Sequence, residues 1–346
     1  MSEPNTTPPV VPIAPGAYLT FARWAVGMGV CVVIAGVFFI TALLLGSEVP
    51  WSRALAFWDW SDVERDIILK YRLPRAIVTG AIGMALGAAG AGVQGVLRNP
   101  LAEPYLLGMS GGGALVVAFG TLMGWENTIF LTSLAFAGAI SAGAVVLFIS
   151  SGIRRAGPTG VILAGIMVNA FAGALVQFMY SRATIYEANR IMRWLIGSIP
   201  DNVTYAAGVW TLAAAIAGTI VLSYLARPMN LLALGETTAA ASGVEVGRLR
   251  VLALSVAGFL AATTVAVAGP IGFVGLVVPH AVRLSGSGDN RWVVPGAAFV
   301  GAAFLLAADT FCRRFVAVNP LPVGVVTGLV GTPVFLILVV RRLRRG

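Results

Sequence analysis

The sequence predicts an all-α polytopic membrane protein with about ten transmembrane helices. Of its 346 residues, 58% are hydrophobic and 11% charged, against roughly 25% charged in an ordinary soluble domain. Mean hydropathy is +0.90. Apolar runs near the ~20 residues that cross a bilayer recur near 24–45, 76–96, 105–123, 129–150, 160–181, 204–226, 251–269, 271–285, 292–309 and 321–340, the run at 271–285 being short.

In chain order, "MSEPNTTPPVVPIAPG" is Pro-rich and has no Lys or Arg, so it lacks the basic start of a secretory signal. Residues 1–20 read as a disordered tail, and 21–346 as one membrane domain with short connections. An even number of spans puts both ends on one side, and the final "RRLRRG" assigns that side to the cytoplasm. The inner connections then hold Arg23, Arg98, Arg154, Arg155, Arg227, Arg248, Arg250, Arg283, Arg291, Arg341, Arg342, Arg344 and Arg345. The net charge of +9 is mostly this excess, and nucleic acid is not needed to explain it.

The run after residue 76 carries Gly80, Gly83, Gly87, Gly90 and Ala91 at helical spacing, a nearly bare face for close helix packing. Gly111–Gly113 open the next run with neither a strand nor a lysine, so they do not form a phosphate loop. Gly269-Pro270 predicts a tight reversal before the short run. Cys31 and Cys312 read as unpaired packing residues. His280 has no second His or Cys nearby to complete a metal site and reads as structural.

The energy source is narrowed by what is missing. The one lysine, Lys70, has no Gly-rich loop before it, so the chain does not bind and split ATP itself. The runs are nearly free of Asp and Glu, which disfavours a proton- or sodium-coupled carrier; Asp309, at the end of one, reads as a hydrated helix end. No His, Cys, Asp or Glu cluster suits catalysis, which disfavours a membrane enzyme.

One stretch interrupts the hydrocarbon. In "RPMNLLALGETTAAASGVEVGRLR", 227–250, Pro228 ends the preceding helix and Asn230 caps a short one from Leu231. Gly235 and Gly243 bracket a second short helix. Such a pair at the inner surface suits a socket on another protein.

Five segments then resemble the FecCD permeases of ABC importers for iron-siderophores, haem and cobalamin: "RLPRAIV" (72–78), "NPLAEPYLLGMSGG" (99–112), "RPMNLLALGE" (227–236), "GPIGFVGLVVPHAVRL" (269–284) and "LPVGVVTGLVGTPVFLILV" (321–339). The resemblance implies a cobalamin-permease-like fold in a homodimer, in the bacterial inner membrane, with a central pathway. It also implies two cytoplasmic ATPases that use ATP and Mg, a periplasmic binding protein, and no cofactor, catalytic residue or metal site in this chain. By the same resemblance, 227–250 holds the coupling helices, with Leu234, Gly235, Glu236, Ala240, Ser242 and Val244 as ATPase contacts. Arg72, Arg75 and Arg313 match the arginines that dock acidic residues of the binding protein. The pathway would draw on 169–198, offering Gln177, Met179, Tyr180, Arg182, Arg190, Met192, Arg193 and Trp194. Arginines beside Met and aromatic side chains suit haem, with ferric siderophore and cobalamin as alternatives. The Pro-rich tail is unmatched, and "EANRIMRWLIGS" carries two arginines beyond the family pattern.

Overall fold

The computed structural model describes residues 20–46, 48–152, 157–315 and 321–343. All but the last residue of the predicted tail, and Arg154, Arg155, Arg344 and Arg345, lie outside them. Every regular element among the described residues is helical: α1 Phe21–Leu44, α2 Trp51–Leu55, α3 Asp62–Asp66, α4 Leu73–Leu97, α5 Met109–Leu122, α6 Thr128–Gly152, α7 Gly157–Arg182, α8 Ile185–Ile196, α9 Tyr205–Tyr224, α10 Ala226–Ala233, α11 Glu236–Ala241, α12 Val246–Ala268, α13 Val274–Ser285, α14 Asn290–Phe315 and α15 Val323–Leu343. Each predicted run has its helix. Among the described residues, seven segments are long and apolar enough to cross a membrane; α5, α13 and Val323–Ile337 of α15 are shorter apolar helices.

The centre is α4, joined to α3 through a π-helical stretch at Ile67–Arg72. Of its most apolar window 83% is buried within the subunit, against 17% for α1, so α1 wraps the outside. The bare glycine face explains how α4 becomes central. A Cβ on Gly87 would lie 2.0 Å from the Ala297 carbonyl oxygen of α14, and one on Gly83 2.2 Å from that of Gly301. Only glycine lets these backbones touch. Cys31 and Cys312 are buried free thiols in the same core.

α5 and α13 are short because part of their crossing is spent on backbone that is not α-helical, at 99–108, which includes a 3-10 turn at Pro104–Leu107, and at 269–273. Such backbone survives at depth only where its polar groups are satisfied, and here they are. Asn169 of α7 donates to the Tyr105 carbonyl at 2.9 Å and accepts the Gly111 N–H at 3.0 Å. The Glu103 carboxylate accepts the Phe273 N–H at 3.0 Å, and the Tyr105 hydroxyl that of Ile271 at 3.1 Å. Phe273, at φ 69°, starts α13 from the left-handed region. The Gly269-Pro270 reversal is present, with Gly269 also left-handed at φ 69°.

Two local expectations are corrected. The helix before the interruption ends at Tyr224, and Pro228 sits in the first turn of α10, where a missing N–H costs nothing. Asn230 is inside α10 and is no cap. It donates to Asp289 at 2.6 Å and accepts from the backbone and side chain of Asn290, both at 2.9 Å, which staples α10 to the start of α14.

Candidate functional site

Three groups of residues were singled out by the sequence, and the fold treats them differently. The first is α10–α11. Ala226, Met229 and Leu232 bury one face of α10. Gly235, at φ 128°, turns the chain into α11. That helix ends in a Schellman motif, with the Val244 N–H on Ala239 O at 3.0 Å and the Gly243 N–H on Ala240 O at 3.0 Å. Arg250 of α12 pairs with Glu236 at 2.8 Å. The outcome is a rigid protrusion: Leu234, Glu236, Ala240 and Ser242 are exposed and Gly235 half-buried, while Val244 packs inward on the core. Below α10, burial raises the Asp289 carboxyl, but bonds from Arg291 and Asn230 outweigh this and hold it below the usual carboxylate range.

The second group lies at the opposite end. Arg72, Arg75 and Arg313 do converge, with Glu48 and Asp201, around one cavity of about 330 Å³. All three are already engaged. Arg72 is 3% exposed and donates to the Leu43, Leu44 and Val49 carbonyls at 3.1, 3.4 and 2.9 Å, so it closes the open C-terminal end of α1. Arg75 grips Asp309 with Nε and Nη2, the latter at 2.8 Å, and reaches Asp201 with Nη1. Arg313 donates to Asp309 at 3.1 Å and to the Ala42 carbonyl at 3.1 Å. Asp309 is 2% exposed, so the expectation of a hydrated helix end is overturned. It is the shared anion of two arginines, tying α4, α14 and α1 together. Arg313 is one helical turn from Asp309, but Arg75 is 234 residues away, so the shared pairing does not show in the sequence.

The third group is α7–α8. Thr184 and Glu187 form a capping box that starts α8, and bonds from Thr184 hold the Glu187 carboxyl low. Ile191 is buried, and Met179 and Trp194 pack beside it. Arg190 donates to the Trp125 carbonyl at 3.0 Å. A cavity of about 360 Å³ opens behind α8, lined by Arg190, Arg193, Trp194, Thr128, Thr132 and Ser198 among others. Gln177, Tyr180, Arg182 and Met192 do not line it. They are exposed in the single subunit, Arg182 over the Phe178 ring at 6.0 Å. Glu103, Asn169, Asp201 and Glu48 were missed by sequence reading; Asn169 and Glu103 serve as caps of the interrupted helices.

A family model described as the FecCD transport family matches residues 32–341. The chain belongs to the FecCD transport family. It is 34% identical over 341 residues to the vitamin B12 import system permease protein BtuC of Salmonella paratyphi A, covering 94% of this chain and 100% of that one. It is 36% identical over 314 residues to the hemin transport system permease protein HmuU of Yersinia pestis, covering 88% and 93%. An uncharacterised permease protein of Bacillus subtilis, YvrB, is 36% identical over 286 residues, covering 81% and 80%. Among solved structures, an inward-facing conformation of a metal-chelate type ABC transporter superposes with a TM-score of 0.78 at 25% identity, covering 91% and 99%. The FecCD fold thus places this chain among multi-pass membrane permeases of ABC importers.

Proposed function

We propose that this FecCD protein is the permease subunit of an inner-membrane importer that moves an iron-containing chelate, haem ahead of a ferric siderophore, with the cobalt chelate cobalamin as the alternative cargo. It works as a homodimer with two cytoplasmic ATPases and receives cargo from a periplasmic binding protein. Both termini are cytoplasmic. The subunit itself binds no cofactor and catalyses no bond change; ATP and Mg belong to the ATPase. The observation that carries the importer reading is the rigid α10–α11 protrusion on a chain of this family. Its exposed Leu234, Glu236, Ala240 and Ser242, with Gly235 at the turn, form the ATPase contact, and Val244 anchors it. A second copy would cover the face of α7 that exposes Leu163, Met167, Phe171 and Phe178. Preference for haem rests on Arg190, Arg193 and Trp194 beside an open cavity, a setting for a flat apolar ligand with carboxylates. Docking of acidic residues falls to the cavity around Arg72, Arg75 and Arg313, where Arg75 has one exchangeable partner, the exposed Asp201.

The experiment is haem uptake into proteoliposomes holding the chain with its co-purified ATPase, ATP enclosed and haem-loaded binding protein outside. Uptake that requires both ATP and binding protein supports the reading. Hydrolysis stimulated by the binding protein without haem accumulation removes haem and leaves siderophore and cobalamin. Uptake collapsed by an ionophore with ATP present would favour a proton-coupled carrier. Glu236→Arg, which breaks the pair with Arg250, is expected to leave hydrolysis running while uptake falls to background; full transport counts against the coupling assignment.

A further inference from the structure

We propose that the cavity behind α8 is an oxyanion site that takes an ionised carboxylate arm of the cargo. The assignment deepens the importer reading and rests on it only for who carries the carboxylate. The cavity, about 360 Å³, draws its wall from α5, α6, α8, α12 and the connection after α8. Its polar lining is made of Arg190, Arg193, Thr128, Thr132 and Ser198, with no Asp or Glu among the lining residues. Glu126 lies two positions before Thr128 and does not line it.

Each polar group there is a donor with capacity to spare. Arg190 spends one N–H on the Trp125 carbonyl of its five. Arg193 is exposed. The hydroxyls of Thr128, Thr132 and Ser198 can each donate one further bond. Asn127 caps the start of α6, accepting the Phe130 N–H at 3.0 Å, so the positive end of a 25-residue helix also faces this region. Thr128 and Thr132, one turn apart, share a face of that helix. Two guanidinium groups, three hydroxyls and the Trp194 indole lining one cavity match a carboxylate attached to a flat hydrophobic body. The arginines of the other cavity contrast with it: Arg75 and Arg313 already hold a carboxylate, and Arg72 is spent on backbone carbonyls with Glu48 at 3.7 Å.

The test has two readouts on the assembled transporter. Thermal unfolding is followed with tricarballylate, against potassium chloride at matched ionic strength. Stabilisation specific to tricarballylate is expected in the wild type, with the half-maximal concentration raised about tenfold in Arg193→Gln, as loss of a charged hydrogen bond implies, and partly restored in Arg193→Lys. Thr132→Val, which leaves every charge in place, should show a smaller rise. The same stabilisation by chloride, or an unchanged concentration dependence in both Arg193→Gln and Thr132→Val, would overturn the site. Uptake of haem is compared with that of its dimethyl ester; wild type should favour the free acid and Arg193→Gln should lose the preference. Tricarballylate stabilisation through Arg193 without haem uptake would sink the haem reading and keep the site. Haem uptake with both readouts unmoved by Arg193→Gln would sink the site and keep the importer.

Discussion

Two groups of arginines share the end of the bundle opposite α10 and α11, and they differ in what they touch. Arg75 and Arg313 enclose the buried Asp309, while Arg190 donates to a backbone carbonyl and Arg193 stands exposed at a cavity that no carboxylate lines among the described residues. A guanidinium taken out of water must bring its counter-charge with it; one at an open cavity keeps its hydration and its donors. The difference teaches that a short motif such as "RLPR" can be spent on holding the fold, while arginines without motif value remain available to a ligand.

The strongest way to break the comparison is Asp309→Ala. It strands two arginines in a buried site and should cost about 3–5 kcal/mol, read as a large drop in the thermal unfolding midpoint of the protein in nanodiscs. A midpoint close to wild type would show that water reaches Asp309 and that the two groups are alike. Next comes the double reversal Arg72→Glu with Arg75→Glu, which is expected to abolish docking of the binding protein. Because both side chains are structural, the unfolding midpoint should fall with it; loss of docking at an unchanged midpoint would make them surface residues after all, and unchanged docking affinity would refute the docking assignment.

Arg193→Gln sharpens the contrast from the other side. Haem uptake should show an apparent KM raised about tenfold, the worth of one charged hydrogen bond, with no change in unfolding midpoint. A fall in stability as large as that of Asp309→Ala would mean that Arg193 is structural too. The smallest effect belongs to Asp201→Asn. Its side chain is 97% exposed, and exposed pairs contribute little, so the midpoint should stay put while the binding protein docks a few-fold more tightly on the freed Arg75 Nη1. Unchanged docking there, measured by surface plasmon resonance, would remove Arg75 as the exchangeable donor.

Legibility in the sequence followed the range of the signal. Apolar runs, the glycine face of α4 and the Gly235/Gly243 brackets are local, and each appears where the residues put it. The role of Asn230 was misjudged because cap and interior lock use the same side chain; the lock needs Asp289 and Asn290, about 60 residues away. Of the eight residues offered for the pathway, Arg190, Arg193 and Trp194 meet at one cavity. Gln177, Tyr180 and Arg182 of α7 and Met192 of α8 are exposed in the single subunit, and helical spacing does not tell what covers them.

By itself the sequence determined that the chain is a helical membrane protein, where its spans run, and that its middle carries a short, glycine-bracketed protrusion. Those features follow from hydrocarbon length and backbone preference, which neighbouring residues settle. Only the tertiary structure decided which charges are compensated. Asp309 becomes the anion of Arg75 because the Gly83 and Gly87 face brings α14 against α4, and Glu103 and Asn169 become caps because two interrupted helices meet them at depth. A charge is made structural or available by its distance to a partner and to water, and that distance exists only once the helices have packed.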